Sequence, residues 1–186
     1  EMIAWVKTSS GKGYRMLIAS TEVTLDLLKG IKNAGDGSAL MFAGKEDEIS
    51  VSAFLASPLA GPNEEVQNRV DNTREQLKNE LGLSEDDIVD IPCLFKKEGT
   101  YDKYAIALMP NMINSLIIGQ HVIAPDPYGP IIGGKDRFKE ALKERLEPLG
   151  QTVHFIDDWY PYHTWLGEIH CATNSKRLPD DAAWWK

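Results

Sequence analysis

Cys171 is the residue of this sequence whose setting most suggests chemistry. It stands between His170 and a short polar run, Thr173-Asn174-Ser175, which is an unusual environment for a core residue. Because only the thiolate is nucleophilic, a free thiol with a pKa of about 8.5 needs help from a cation or from backbone amides. The small, polar residues after Cys171 could leave such amides open. A nucleophile is therefore one interpretation, and a buried, inert thiol is the other.

A metal site is the next chemistry to weigh, because the sequence also contains four histidines: His121, His154, His163 and His170. No pair has the close spacing, such as C-x-x-C or H-x-x-x-H, that structural zinc sites usually show. An extended strand would also direct His170 and Cys171 to opposite faces, so the two would rarely share a metal ion. We therefore expect scattered, hydrogen-bonded histidines, and no metal site.

Acidic and aromatic residues are concentrated near the end of the chain. Asp157 and Asp158 follow a predicted strand, where either could hold a cation such as guanidinium through two hydrogen bonds. Solvated loop acids are the simpler interpretation. Six aromatic residues could line a ligand pocket, but such groups more often pack one end of a core. They are Trp159, Tyr160, Tyr162, Trp165, Trp184 and Trp185.

Composition narrows the classes of partner. The 186 residues carry a net charge of −8 with a pI near 5.0, which disfavours nucleic acid, since phosphate binding needs clustered Lys and Arg. No apolar run is long enough to span a membrane, and no signal peptide is evident at the start. Cys93 lies in an apolar run and is predicted to be a small core residue. Two unpaired thiols favour a reducing compartment, the cytoplasm.

Strand and helix signals alternate along the chain, which predicts an α/β or α+β fold. Strands are predicted at 14–20, 39–42, 88–95, 105–109, 115–123 and 153–157. Helices are predicted at 24–31, with Thr21 as its N-cap, at 63–81 ending at Gly82, and at 136–149. Loops are predicted at 96–100 and 125–134. Pattern alone does not choose a topology.

Several ordered blocks carry a family resemblance. Tyr162-His163, followed by Gly167-Glu168-Ile169-His170-Cys171-Ala172-Thr173-Asn174, closely resembles the terminal motif of peptidylarginine deiminases, Y-H and then G-E-V-H-C-G-T-N. The resemblance continues in order over nearly the whole chain. Its other blocks are Glu80-Leu81-Gly82-Leu83-Ser84, Asp87-Ile88-Val89-Asp90-Ile91-Pro92, Pro110-Asn111-Met112-Ile113-Asn114, Leu116-Ile117-Ile118-Gly119, Gly129-Pro130, Leu146-Glu147-Pro148-Leu149-Gly150 and Trp184-Trp185.

The resemblance implies a fold. Residues 1–186 would be the C-terminal portion of a protein-arginine deiminase catalytic domain, with the pentein fold, a five-bladed αβ propeller. The chain would supply roughly the last two to three blades of that propeller. Incomplete blades would expose apolar strand faces, so self-association is also expected.

The resemblance also implies an activity: the calcium-dependent hydrolysis of protein arginine to citrulline and ammonia. Cys171 would attack the guanidinium carbon and form a thiouronium intermediate. Trp165 stands where several family members have an arginine that holds the substrate peptide, and Ala172 replaces a glycine. The family's catalytic His-x-Asp, its second aspartate and its calcium ligands would lie outside this chain, so we expect the isolated chain to be inactive.

Two alternatives remain open. A related hydrolase could act on the guanidino group of free small molecules such as arginine or agmatine. A non-catalytic binding domain could also have kept the pentein-like shell. The first would show its preference in an assay of peptide against free arginine, and the second would lack the upstream His-x-Asp.

Overall fold

The computed structural model describes residues 2–9, 13–97 and 104–176 of the chain. The closing Trp184-Trp185 pair and most of the loop predicted at 96–100 lie outside the described residues. Within the described ranges, strands and helices alternate along the chain, as predicted.

The strands are short and form several small sheets. They are β1 (Ile3–Lys7), β2 (Tyr14–Ser20), β3 (Leu40–Met41), β4 (Ile49–Ser50), β5 (Ile88–Pro92), β6 (Phe95–Lys96), β7 (Ile106–Ala107), β8 (Leu116–Ile118), β9 (His121–Pro125), β10 (Ile131–Ile132), β11 (Lys135–Asp136) and β12 (Thr152–Ile156). The α-helices are α1 (Thr21–Ile31), α2 (Val51–Ala56), α3 (Pro62–Leu81) and α4 (Arg137–Leu146). A π-helical turn, Lys32–Asp36, extends α1, and short 3₁₀ turns are Pro58–Ala60, Glu85–Asp87, Glu147–Leu149 and His163–Trp165.

Two three-stranded sheets share one topology. The first has the order β1-β2-β5, with β1 antiparallel and β5 parallel to β2. The second has the order β8-β9-β12, with β8 antiparallel and β12 parallel to β9. In each sheet a hairpin is followed by a helical crossover, which a parallel neighbour requires. The chain thus contains two β-β-α-β units, which we call the first unit (residues 3–92) and the second unit (residues 116–156).

Capping residues explain where the helices begin and end. Ser20 is the N-cap of α1, because its side chain accepts from the Val23 amide, so the prediction of Thr21 as the cap was wrong. Thr21 is the buried first residue of the helix instead, and its hydroxyl donates to the Asn63 carbonyl at 2.7 Å. Gly82 ends α3 as predicted, since its left-handed φ of 62° suits glycine.

A single hydrophobic core joins the two units. The helix α4 contacts β12 of its own unit and also β5 of the first unit. In β2, every residue from Met16 to Ser20 is buried, whereas β12 alternates and leaves His154 and Ile156 exposed. One sheet is therefore covered on both faces, and the other has an open face. None of the described helices combines the length and apolarity that a membrane crossing needs.

Some predicted strands were wrong in their limits. The single strand predicted at 115–123 is the hairpin β8–β9, because Gly119 adopts a positive φ of 60° and turns the chain inside the apolar run. The strand predicted at 88–95 divides into β5 and β6 on either side of Cys93 and Leu94. The predicted helix 136–149 is α4, preceded by Asp136 as its N-cap and followed by a 3₁₀ turn.

The mixed αβ content matches the predicted fold class. The described residues contain separate small sheets and no closed sheet. Closure into a propeller and the number of blades remain predictions.

Candidate active site

Two loops bring Cys171 and Asn114 together. One loop connects β7 to β8, and the other follows β12. Asn114 is 5% exposed, whereas Cys171 is an exposed thiol. The Asn114 Nδ2 donates to Cys171 Sγ at 3.2 Å, and the Asn114 Oδ1 lies 3.6 Å from the same sulfur. Asn114 is the only hydrogen-bond partner of this sulfur among the described residues.

Backbone hydrogen bonds hold the two loops against each other. The His170 amide donates to the Asn114 carbonyl at 3.2 Å, directly beside Cys171. The Ala172 amide donates to the Glu168 carbonyl at 3.1 Å, so residues 168–172 form a turn. The expectation that His170 and Cys171 point to opposite faces of a strand was wrong in its premise, because no strand is present at this position.

Beneath this turn lies a buried acidic cluster, formed by Asp158, Glu168 and His163. All three are at most 7% exposed. The His163 Nδ1 donates to Glu168 Oε1 at 2.8 Å, and the Asn111 amide donates to the same oxygen at 3.2 Å. Glu168 therefore contacts both loops at once.

Asp158 is the most perturbed acid of the cluster. Burial, together with the neighbouring Glu168 and Asp157 carboxyls, raises its pKa to about 8. Both Asp158 carboxyl oxygens and Glu168 Oε2 are buried with no hydrogen-bond donor among the described residues. A proton held between the two carboxyls would satisfy this arrangement, as in other carboxyl pairs whose like charges cannot both be accommodated.

The adjacent aspartates have different environments. Asp157 is exposed, and a hydrogen bond from the Tyr128 hydroxyl lowers the pKa of Asp157. Its carboxylate lies 3.9 Å from Lys45. The interpretation as a solvated loop acid therefore fits Asp157, but it is wrong for Asp158, which is 2% exposed.

The aromatic residues of this segment do not pack as one cluster. Trp159 belongs to the core, with its ring against His163, Phe42 and Tyr128 and its Nε1 donating to Glu46 at 3.0 Å. In contrast, the side chains of Tyr160, Tyr162 and Trp165 are exposed. The expectation of core packing was right for Trp159 and wrong for these three, and Trp184 and Trp185 lie outside the described residues.

Trp165, the predicted substrate-binding residue, ends the 3₁₀ turn His163–Trp165 and is 81% exposed. It lies on the loop that also carries Cys171. The geometry leaves its large ring free to contact a molecule that approaches this loop from solvent.

Cys93 has the opposite environment to Cys171. It is 1% exposed, and its amide donates to the Thr24 hydroxyl at 2.8 Å. Burial raises the pKa of the Cys93 thiol well above its ordinary value. The prediction of a small core residue is confirmed, and this thiol is unsuited to nucleophilic attack.

Possible metal ligands are dispersed. Across residues 2–9, 13–97 and 104–176, no three His, Cys, Asp or Glu side chains are grouped so that they could hold a metal ion. His121 and His154 do form an exposed pair on neighbouring strands, with Nδ1 and Nε2 3.0 Å apart. They lie on the open face of the second sheet and do not contact the Cys171 loop.

An apolar cavity of about 280 Å³ lies on a different surface, between β1, β2 and α3. Met2, Ile3, Val66 and Val70 are among its lining residues. It shares no lining residue with the loops around Cys171. The cavity is therefore separate from the candidate active site.

Sequence reasoning missed Asn114, Glu168 and His163 as members of this site. Each occurs within a block that resembles the family, but the residue types suggested turns or satisfied polar groups. One signal of a buried polar contact was available at Glu168, which stands between Gly167 and the apolar Ile169. A carboxylate that is buried in such a place needs a hydrogen-bond partner. Its partner, the Asn111 amide, is remote in sequence.

Comparisons with known proteins give the following similarities. Residues 1–186 match the family model described as protein-arginine deiminase (PAD). The chain is 43% identical to human protein-arginine deiminase type-3 over 191 residues, 43% identical to mouse type-1 over 188 residues, and 39% identical to rat type-4 over 189 residues. Each alignment covers 100% of this chain and 28% of the relative, so the chain spans little more than a quarter of these proteins.

Proposed function

Because the chain belongs to the protein-arginine deiminase family, we propose that it is the part of such an enzyme that carries the nucleophile, Cys171. The reaction is the hydrolysis of a protein arginine side chain to citrulline and ammonia. Within the longer protein, the chain forms the C-terminal portion of the catalytic domain. The two β-β-α-β units support a propeller of repeated units, in which each would be one blade.

The proposed chemistry is covalent catalysis in two steps. The Cys171 thiolate forms an S–C bond to the guanidinium carbon, a terminal nitrogen takes up a proton, and its C–N bond breaks as ammonia leaves. Water then adds to the same carbon of the cationic thiouronium, both protons of that water are released, and the S–C bond breaks with its electron pair staying on sulfur. These steps release citrulline and return the thiolate. Covalent attack divides one difficult hydrolysis into two easier steps.

The exposed Cys171 sulfur, with one amide donor 3.2 Å away, is the observation that carries the proposal. A nucleophile must be open to substrate and must be held in a fixed position, and this thiol meets both conditions. The other cysteine of the chain, Cys93, is 1% exposed and meets neither.

The remaining catalytic groups are proposed to come from parts of the protein outside this chain. His163 is buried and bonded to Glu168, and His170 lies in the turn beside the thiol. The family resemblance assigns the acid–base histidine and the guanidinium-binding aspartates to upstream segments.

Calcium is likewise proposed to act in the whole protein. The described residues do not fit a calcium site, because no group of three or more acidic, His or Cys side chains could hold an ion. Asp158 and Glu168 supply only two carboxyls, whereas calcium takes about six to eight oxygen ligands. No step assigned to residues of this chain passes through the ion.

A protein or peptide substrate is favoured over free arginine. The Cys171 loop is exposed, and Trp165 offers a large open ring beside it. The net charge of −8 suits an approaching arginine-rich segment. The two free thiols support a reducing compartment such as the cytoplasm.

The test is citrulline formation by the parent protein, with an arginine peptide or free arginine as substrate. Cys171→Ala should lower the rate by at least about a thousandfold, because a covalent nucleophile has no substitute. The matched variant Cys93→Ala should retain activity. Activity of Cys171→Ala near that of the parent would overturn the proposed role.

Further measurements distinguish the proposed function from a small-molecule hydrolase and from a binding domain. A rate on free arginine above that on the peptide would favour a small-molecule hydrolase. The isolated 186-residue chain with calcium should form no citrulline, and turnover by it would overturn the proposal that acid–base groups lie elsewhere. A parent protein that binds arginine peptides without turnover would favour a binding domain.

A further inference from the structure

We propose that Asn114 is a catalytic residue that donates a hydrogen bond to the Cys171 thiolate, and that Glu168 is the positioning residue that holds Asn114 in place. The inference rests on the proposed role of Cys171 as the nucleophile. It adds two residues of this chain to the reaction and assigns each a distinct task.

The amide of Asn114 matches the sulfur in both of its protonation states. The Nδ2, at 3.2 Å, donates to a thiolate, and the Oδ1, at 3.6 Å, accepts from a thiol. The neutral Asn114 amide can therefore hydrogen-bond to Cys171 as a thiol and as a thiolate, without a change in its own charge. A hydrogen bond to a charged group is roughly twice as strong as one between neutral groups, so this contact favours the thiolate at neutral pH.

Asn114 is fixed by its surroundings. It is 5% exposed, its amide donates to the Asn111 carbonyl at 2.9 Å, and its carbonyl accepts from the His170 amide at 3.2 Å. The backbone on both sides of the Asn114 side chain is thereby tied down. The side chain contacts the sulfur without the cost of ordering a mobile loop.

Glu168 connects the two loops from below. Its Oε1 accepts from the Asn111 amide at 3.2 Å, at the start of the turn that ends in Asn114. Its backbone carbonyl accepts from the Ala172 amide at 3.1 Å, next to Cys171. One residue therefore bonds to the loop of the donor and to the loop of the nucleophile.

Glu168 is in turn held by His163, whose Nδ1 donates to Oε1 at 2.8 Å. The Trp159 ring packs 4.8 Å from the His163 ring, measured between centroids. This sequence of contacts links the hydrophobic core to the sulfur. A buried charge-assisted hydrogen bond is directional, which suits a positioning role.

In the reaction, the Asn114 amide acts at two moments. It stabilises the negative charge on sulfur before attack, and it does so again when the S–C bond breaks and the thiolate is the leaving group. When the S–C bond exists, sulfur carries no charge and the hydrogen bond is weak. The amide therefore raises the fraction of reactive thiolate before attack and stabilises the thiolate that departs in the second step.

The test is alkylation of Cys171 by iodoacetamide at about pH 7 in this chain, followed by mass spectrometry of the two cysteine peptides. The reagent needs no arginine substrate, so the result is independent of citrulline formation. Cys93 reports folding in the same sample, because a thiol that is 1% exposed is labelled only when the chain opens.

Asn114→Ala should slow alkylation of Cys171 by about tenfold, because the thiolate loses its hydrogen-bond donor and the thiol form becomes more populated. Asn114→Asp, of nearly the same shape, should slow it further, since a carboxylate repels the thiolate. The control Asn72→Ala, an exposed residue of α3, should leave the rate unchanged. An unchanged rate in both Asn114 variants, with Cys93 protected, would overturn the proposal.

Glu168 is tested by rescue and by non-additivity. Glu168→Ala should slow alkylation by about fivefold, and Glu168→Gln, which keeps an oxygen for the Asn111 amide, should recover most of the rate. Glu168→Ala should add little in the Asn114→Ala background, because the two residues act in series. Full additivity, or no rescue by Gln, would show that Glu168 has only a general structural role.

The two proposals can fail separately. Slower alkylation in the Asn114 variants together with a parent protein that forms no citrulline would overturn the proposed function alone. Citrulline formation that depends on Cys171, together with unchanged alkylation in the variants, would overturn the inference alone.

Discussion

The two β-β-α-β units have the same strand order and directions, yet the cysteine that follows the third strand is buried after the first unit and exposed after the second. After β5 of the first unit, the backbone enters the core at once, and Cys93 is 1% exposed. After β12 of the second unit, the chain leaves the sheet through Asp157 and reaches the exposed Cys171 in a turn. Topology is shared, so it is the burial of the following loop that separates an inert thiol from a candidate nucleophile.

The sheet of the first unit is also more deeply buried than the sheet of the second. The central strand β2 is buried on both faces from Met16 to Ser20, whereas His154 and Ile156 of β12 face solvent. A strand covered on both faces needs apolar side chains at every position, and a half-covered strand needs them only at alternate positions. The sheet of the first unit therefore mainly forms the hydrophobic core. The second unit carries the loop on which chemistry is proposed.

The largest expected effect concerns the two thiols. Cys171 should react with iodoacetamide at least about a thousandfold faster than Cys93, because Cys93 reacts only in opened molecules and opening a core costs on the order of 5 kcal/mol or more. Peptide mass spectrometry over time gives both rates from one sample. In concentrated urea the two rates should converge. Comparable rates in the native chain would mean that the units do not differ in burial as described.

Sequence patterns predicted the helices and strands well where clear turn or capping residues mark their ends. Tyr14–Ser20 was predicted with its observed limits, and α3 ends at the predicted Gly82. In contrast, Gly119 was hidden inside an apolar run, and the hairpin β8–β9 was predicted as one strand. The turn at Gly119 depends on its positive φ, which the sequence alone does not reveal.

The candidate site was predictable only in part. The family resemblance picked out Cys171, and the structure places it on an exposed turn. The roles of Asn114 and Glu168 depend on hydrogen bonds between loops that follow different units. Such partners are distant in sequence, and a single sequence provides no signal that pairs them. Likewise, aromatic composition did not reveal that Trp159 is buried while Trp165 is 81% exposed.

That pair of tryptophans supplies the second test, on the stability of the chain. Trp159→Ala should lower the free energy of unfolding by about 3–5 kcal/mol, because it leaves a cavity beside Phe42 and His163. Trp165→Ala should change it by no more than about 0.5 kcal/mol. Urea unfolding followed by circular dichroism measures both. Equal losses would contradict the assignment of one ring to the core and the other to the surface.

Asp158 supplies the third and smallest effect, and its sign follows from its environment. The ionisable groups that face it are the Glu168 and Asp157 carboxyls, the Tyr128 hydroxyl and, through Glu168, the His163 ring. Its pKa of about 8 lies above the unfolded value of about 3.9. The folded state therefore binds this proton more tightly, and the stability that the proton contributes below about pH 4 is lost as the pH rises towards 8.

Asp158→Asn should remove this loss, because the amide is neutral at every pH. Relative to the variant, the unsubstituted chain should lose on the order of 2 kcal/mol of unfolding free energy between about pH 5 and pH 9, less than a full shift implies, since water and neighbouring groups relax around a buried charge. Urea titrations at several pH values measure the difference. The control Asp157→Asn should keep most of the slope, because the pKa of the exposed Asp157 is lowered and that carboxyl stays ionised throughout this range. Parallel stability curves for the chain and Asp158→Asn would mean that no proton is held beneath the Cys171 turn. The contrast between the buried acids that follow the second unit and the exposed nucleophile beside them would then need another physical origin.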